Sequence, residues 1–391
     1  MLRFDYLLIG GGLQNGLIAA ALAEHRPSAR IGVVERASEL GGNHTWCFHA
    51  ADAGGDASAF VEPFVAQRWP AYSVYFPGFE RRVEESYAAV TSRSFAERLR
   101  ELHAWGAFEL FTGSAALEIA PHRVVLASGT ELEAGVVIDA RGPSALERPE
   151  ALGFQKFVGL ELEVEPSTAP ATPTLMDARV PQTDGFRFFY VLPLSADRVL
   201  VEDTYFSEQR NLRRAAIRAE ILSYAASLGL AVRRVAREEA GVLPIPGRAL
   251  VNPGRESGLV RAGYRGGFFH PTTGYSFPLA VRVARAVAQS TPETLSERLS
   301  ELARVEARQQ RYAALLNRMM FAAFAPERRF GALEHFYRLP SATVRRFYAL
   351  ELTHLDRARI LCGRPPRGFS LTRLFAQRDA VPVRPLPGEN A

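Results

Sequence analysis

Hydrophobic positions change period twice within the first 35 residues. Phe4, Tyr6, Leu7, Leu8 and Ile9 form a short apolar run that suits a strand buried in a parallel sheet. Gly10, Gly11 and Gly12 break it, and Leu17, Ile18, Ala20, Ala21 and Leu22 then recur as one face of a helix. A second apolar strand, Ile31 to Val34, ends at Glu35. Asp52 to Ser58 reads as a flexible loop, and Tyr72, Val74 and Phe76 alternate as in a strand. Ser94 with Glu97 predicts a capping box for a helix through Leu102. Strands follow near Phe108 to Phe111 and Arg123 to Leu126, and a buried strand, Val136 to Ile138, runs into Asp139-Ala140-Arg141-Gly142. From about Phe157 to Gly241 the period is two (Val158, Leu160, Leu162, Val164; Phe186, Phe188, Tyr190, Leu192; Val199, Val201), which predicts an antiparallel sheet with a helix over Leu212 to Leu228 beside it. A helix carrying Leu279, Val283, Ala284 and Val287 and, from Thr294 onward, a run of helices complete the pattern.

The strand–glycine turn–helix–strand–acid order of the N-terminus is the context in which a dinucleotide binds. Backbone N–H groups at Gly10 and Gly12 can approach a pyrophosphate, the helix N-terminus carries partial positive charge, and Glu35 suits a ribose hydroxyl. Asn15 stands where the third glycine is expected, and Gly16 comes one residue later. Six residues past Glu35 lies the pair Gly41-Gly42, which resembles the extended fingerprint of two-domain flavoproteins and implies FAD. In such proteins the strand ending at Asp139 re-enters the nucleotide sheet, and the residues after it, here to Gly142, close on the cofactor. The fold expected is therefore α/β: a FAD-binding Rossmann-type domain, glutathione-reductase-like and flavin hydroxylase-like, with an antiparallel β-sheet substrate domain and a helical C-terminal region. Residues 1–75, 91–156 and 255–292 are assigned to the first, 76–90 and 157–254 to the second, and 293–391 to the third.

Two stretches carry candidate chemistry beyond the nucleotide. Glu202 and Asp203 end an apolar strand; successive strand side chains face opposite ways, so only one of them can face a pocket. A carboxyl group in an apolar cavity has a raised pKa and can donate a proton near neutrality. The run from Gly263 to Ser276 opens a helix, and its Pro271, Thr273 and Gly274 match the Pro-Thr-Gly segment that lies against the flavin ring in flavin hydroxylases. Those enzymes place Asp after the earlier glycine, whereas Tyr264 follows Gly263 here.

Composition narrows the picture further. The chain has 391 residues, two cysteines (Cys47 and Cys362) and a net charge of +5. Two cysteines build neither a disulfide framework nor a metal cluster, so no metal site is expected. No run of 18 apolar residues exists to span a bilayer, and the short N-terminal apolar run does not read as a signal peptide. From Glu301 onward 16 Arg face 8 Asp and Glu, a net of +8, which leaves −3 for the first 300 residues. Arg318, Arg328, Arg329, Arg345 and Arg346 lie among apolar helical positions rather than on a free arm, which argues against nucleic acid and leaves two readings: a helical cap packed on the core with a solvated basic face, or docking on an anionic membrane surface.

Gly10-Gly11-Gly12-Leu13-Gln14-Asn15-Gly16-Leu17, Gly41-Gly42-Asn43-His44-Thr45-Trp46, Val201-Glu202-Asp203-Thr204 and Phe269-His270-Pro271-Thr272-Thr273-Gly274-Tyr275-Ser276 together resemble the bacterial lycopene β-cyclases, as do Phe336 to Pro340 and Arg346 to Tyr348. The resemblance implies an isomerase that converts the linear ψ-end groups of lycopene to β-ionone rings, via γ-carotene to β-carotene. It implies reduced FAD as a non-redox stabiliser, NAD(P)H as its reductant, and Glu202 with Asp203 as catalytic residues. It also implies peripheral attachment at the cytoplasmic side of the inner membrane, with the C-terminal cap facing the lipid. The alternative on the same scaffold is a FAD-dependent monooxygenase or desaturase of an apolar isoprenoid.

Overall fold

A computed structural model describes residues 2–142, 151–251 and 258–376. Its first layer is a seven-stranded sheet. Leu2–Ile9 pairs in parallel with Ile31–Val34 on one side and with Glu131–Asp139 on the other. Glu109–Phe111 extends the sheet beyond Ile31–Val34, Val260–Arg261 pairs in parallel with Glu131–Asp139, and Arg123–Leu126 and Ala116–Ile119 add an antiparallel edge. Helix Leu13–His25 packs against helix Phe277–Ala288 over this sheet. Apolar residues on both faces of Leu2–Ile9 are buried, as a strand covered on two sides requires.

The second sheet also has seven strands, ordered Val232–Pro246, Ala151–Val164, Arg198–Ser207, Phe186–Pro193, Thr174–Asp177, Tyr72–Phe76 and Phe79–Val83. Its pairs are antiparallel except where Thr174–Asp177 meets Tyr72–Phe76. One face, with Val158, Leu160, Val199, Val201 and Tyr205, is covered by helix Arg214–Ser227 through Ile217 and Ile221. The opposite face, with Phe188, Leu200 and Leu192, packs on aromatic residues that include Trp69, Tyr72, Phe336, Tyr337 and Phe347. A separate antiparallel sheet is formed by Thr45–His49, Tyr87–Thr91 and Gln67–Trp69.

Several expectations meet the structure differently. The boundaries expected at 75/76 and 156/157 each fall inside a strand of the second sheet, Tyr72–Phe76 and Ala151–Val164, because the partners of both strands lie far away in sequence. The boundary at 254/255 lies outside the described residues. Helix Ser92–Ala104 is capped by Thr91, whose hydroxyl accepts from Ser94 N, while Glu97 takes Arg93 as its partner. The Asp52 to Ser58 stretch is not a plain loop: Ala50–Ala53 forms a 3-10 turn and Ala57–Val61 a short helix, with the Asp52 carboxyl turned inward. In the C-terminal region, Phe336, Tyr337, Phe347 and Tyr348 are buried against the second sheet. Arg329 is buried on Phe321 and pairs with Glu208, and Arg346 forks onto Asp356. Much of that basic region is thus committed to internal partners.

Candidate active site

The glycine turn is built for close approach. Gly10 adopts a φ of +100°, and a Cβ there would sit 3.2 Å from the backbone of Ala140 and Arg141. A Cβ on Gly12 would meet nothing within 4 Å, which leaves open space over the helix N-terminus. Asn15 is fully buried and its amide donates to the carbonyls of Ile9 and Gly10, both at 2.9 Å, so it clamps the turn instead of thinning the helix. Gly16 takes over the close-packing role: a Cβ would lie 2.1 Å from the Phe95 ring. Glu35 accepts from Gly11 N at 2.7 Å and from Ala37 N at 2.8 Å, which fixes its carboxylate at the strand end. Gly41 and Gly42 have φ of +85° and +62°, and Gly41 N donates to Gly11 O.

Two later segments converge on this turn. A Cβ on Gly263 would come 3.0 Å from Gln14, whose amide donates to Ala280 O. Gln310 of the long helix Pro292–Ala323 donates to the carbonyls of Gly267 and Phe269, and Asn317 of the same helix donates to Pro271 O. His270 is neutral: burial lowers its pKa to about 3, its Nδ1 accepts from Thr272 N, and Nε2 faces Phe347 O. Tyr264, standing where hydroxylases place Asp, stacks on Phe269 and donates to Gly274 O at 2.5 Å. Thr273 Oγ1 accepts from Tyr275 N. Gly274 has a φ of +66°, and a Cβ there would strike Leu243 at 2.7 Å. The Pro271–Gly274 turn therefore rests directly on the second sheet. Asp139 is buried, and Arg141 and Arg265 take its carboxylate, which organises the strand end. Gly142 is exposed at the edge of the described residues.

On the second sheet, register sets the chemistry. Gly159 pairs with Glu202 on one side and Glu239 on the other, and Tyr190 pairs with Glu202. These four residues form one row across four strands, on the face away from helix Arg214–Ser227. Gly159 holds the two carboxyls together: a Cβ would meet Glu239 Cγ at 3.0 Å. The Gln155–Leu243 row beneath Gly274 is four residues along the same strands, roughly 13 Å at about 3.3 Å per residue. Glu202, Tyr190, Cys47, Tyr264 and Tyr275 are enclosed by protein yet keep accessible surface, so they border interior space. Burial, followed by the charge of Glu239, pushes the Glu202 carboxyl up to about 8, against an opposing hydrogen bond from Thr204 Oγ1 at 2.6 Å. Glu239 is itself anchored: Arg237 reaches it at 2.6 Å, and also Glu161, Asn43 and Thr45. Asn43 and Thr45 follow the glycine pair, so this network ties the nucleotide region to the acid.

Asp203 lies on the other face. Arg187 forks onto both its oxygens at 2.9 and 2.7 Å, and Tyr205 donates to it at 2.8 Å. The catalytic role expected for Asp203 does not fit this position, because strand alternation turns it toward helix Arg214–Ser227 and away from the interior space.

Comparison with known proteins decides the family. The model of the family described as "Lycopene cyclase protein" matches residues 5–374. The chain belongs to the lycopene cyclase family. A lycopene beta-cyclase of Pseudescherichia vulneris is 42% identical over 93% of this chain and 94% of that protein. One of Paracoccus sp. is 38% identical over 99% of each chain. Among solved structures, this lycopene cyclase family member resembles a geranylgeranyl bacteriochlorophyll reductase-like protein of Thermoplasma acidophilum, with a TM-score of 0.65 at 14% identity over 97% and 99% of the chains. A probable FAD-dependent monooxygenase of Pseudomonas aeruginosa superposes with a TM-score of 0.60 at 18% identity, covering 84% and 98%. The fold is thus the α/β flavoprotein fold expected from the N-terminal dinucleotide unit and the Gly41-Gly42 pair that follows it.

Within the family member, sequence reasoning located Glu202 but passed over Gly159, Tyr190, Glu239 and Arg237. Glu239 and Arg237 sit in a charged stretch, Arg233 to Glu239, that looks like a solvated strand. Asp52, His49 and Tyr275 were passed over as well.

Proposed function

We propose that the chain is a lycopene β-cyclase: it closes the ψ-end groups of lycopene into β-ionone rings, via γ-carotene to β-carotene, as an intramolecular isomerisation. The feature that supports this reading is the Glu202 carboxyl, enclosed by protein, pushed up to about 8 by burial, and bordering interior space together with Tyr190, Cys47 and Tyr275. Glu202 donates its proton to C2 of the terminal double bond. The C5–C6 double bond then attacks the C1 cation, and loss of the C6 proton from the resulting C5 cation closes the sequence. Aromatic walls exclude the water that would capture a cation as an alcohol. Asp203 does not touch the substrate in this scheme; with Arg187 it fixes the register of the strand that presents Glu202.

FAD fits the residues present. Gly10, Gly12 and Asn15 would leave the pyrophosphate its place over the open Gly12, Glu35 would take the ribose, Gly41 and Gly42 would follow it, and Pro271, Thr273 and Gly274 would flank the ring system. When bound and reduced, the flavin supplies a fixed negative charge beside the developing cation, which is worth most in a water-free site. NAD(P)H is its proposed reductant. The parallel sheet would thus serve the cofactor, the second sheet the substrate, and the C-terminal helices the route from an anionic membrane surface. No helix among the described residues is long and apolar enough to cross a membrane.

Expression in a lycopene-accumulating bacterium tests the reading. A shift from red to yellow-orange pigment with product mass equal to substrate mass supports it. A gain of oxygen or loss of hydrogen would assign the protein to monooxygenase or desaturase chemistry. Glu202→Gln should abolish the shift with flavin still bound.

A further inference from the structure

Asp52 is a buried carboxyl group that the scheme above leaves unused. Its side chain is 1% exposed, and its Oδ2 accepts from Tyr275 Oη at 3.1 Å and from His49 N at 3.1 Å. Tyr275 belongs to the turn segment that rests on the second sheet, and its ring packs against both the nucleotide-side core and the substrate-side aromatic core. The strand Thr45–His49 joins this pair to the acid site along one face: Thr45 bonds to Glu239, Cys47 lies within electrostatic reach of Glu202 and Tyr275, and His49 meets Asp52. The proton donor Glu202 and the phenol Tyr275, which is bonded to the second carboxyl group of Asp52, therefore both lie within electrostatic reach of Cys47.

We propose that Tyr275, backed by Asp52, is the base that removes the C6 proton and completes the ring. The C6–H bond breaks and its electron pair forms the C5–C6 double bond at the cation. The proton passes to Tyr275 Oη as the phenol's own proton moves along the existing hydrogen bond to Asp52 Oδ2. One proton enters from Glu202 and one leaves through Asp52, so the product is an isomer, and no oxidant is consumed. The inference rests on the cyclase reading and assigns the second half of its proton balance.

The surroundings of Asp52 suit an acceptor that is reloaded each turnover. Burial pushes its carboxyl up to about 7, opposed by the bonds from His49 N and Tyr275 and by Arg282 of helix Phe277–Ala288, and assisted by Glu351 of the C-terminal region. His49, whose Nε2 meets Tyr72 Oη at 3.2 Å, stays neutral because burial lowers it to about 3. Asp52 must be ionised to accept, so turnover should fall as pH drops below about 7.

The test uses the full-length FAD-loaded protein with lycopene in liposomes and NADPH, comparing wild type with Tyr275→Phe, Asp52→Asn and Asp52→Glu. Tyr275→Phe and Asp52→Asn should slow ring closure on the order of 100-fold. They should also divert proton loss to C4 or to the C5 methyl group, giving ring double bonds outside the C5–C6 position, readable by NMR and by a shortened chromophore. The acid limb of the pH profile should vanish in Asp52→Asn and return in Asp52→Glu. A purely structural Asp52 would lower rate and melting temperature but leave only β-rings and the wild-type limb, and that result overturns the proposal. If wild type itself makes no cyclised product, the cyclase reading fails first.

Discussion

Replacing Glu239 by Gln perturbs the proton donor without touching it. Burial and the neighbouring charge of Glu239 push the Glu202 carboxyl up to about 8 against an ordinary value of 4.5, which disfavours its ionisation. Burial supplies the largest share and is unchanged in the variant; the charge of Glu239 comes next, and Arg237 pulls the other way. Glu239→Gln removes one negative charge from the row Glu239–Gly159–Glu202 and frees Arg237 from a partner at 2.6 Å. Both changes favour ionised Glu202, so the alkaline limb of turnover should move down by roughly one unit, from about 8 to about 7. At pH 8 the protonated fraction would fall from roughly one half to roughly one tenth, a fivefold loss, while the rate at pH 6 should barely change through this route. Initial rates from pH 6 to 9, with melting temperature and flavin content as controls, check this. An unmoved or rising limb, with flavin retained, would refute the argument that Glu202 is tuned by its neighbour across Gly159.

Other outcomes follow from the same geometry. Arg187→Met leaves Asp203 buried without its cation and should destabilise the fold by about 3–5 kcal/mol in denaturant titrations. Gly16→Ala places a methyl group 2.1 Å from the Phe95 ring and should cost about 1–3 kcal/mol, with weaker flavin retention on dialysis. Asp356 is held well below the usual carboxylate range, chiefly by Arg346, with Thr343 and Thr353 assisting. A depressed carboxyl stabilises above its unfolded value of about 4 and loses that contribution as pH falls. Asp356→Asn should therefore make the acid side of the stability profile shallower, by the share that Asp356 loses as pH falls below 4, read by denaturant titrations at pH 4 and pH 2.

What was legible in the sequence is what is local. The nucleotide unit declared itself because strand period, glycine turn, helix period and acid all fall within Phe4 to Glu35, and the antiparallel sheet because period-two alternation persists through Val158 to Val201. The acid Glu202 could be named, but which of two adjacent carboxyls faces inward depends on where helix Arg214–Ser227 docks, a packing fact rather than a pattern. Tyr72–Phe76 read correctly as a strand, yet its partner Thr174–Asp177 lies about a hundred residues on, so the sheet it joins was not readable. Asp52 sits in an Ala- and Gly-rich run that mimics a loop, and the phenol that bonds to its carboxyl, Tyr275, is 223 residues away. The basic, aromatic C-terminal region looked outward because arginines dominate it, whereas Glu208, Asp356 and the aromatic core draw several of them in.

The central claim is that a carboxylic acid hands a solvent-exchangeable proton to a polyene carbon and that nothing is oxidised. Turnover of lycopene by the reduced FAD-loaded protein in heavy water tests it most directly. The account predicts a bicyclic product one mass unit heavier per ring formed, with deuterium at C2 and none added in Glu202→Gln. Cyclised product without deuterium at C2, or deuterium incorporation undiminished in Glu202→Gln, would contradict it.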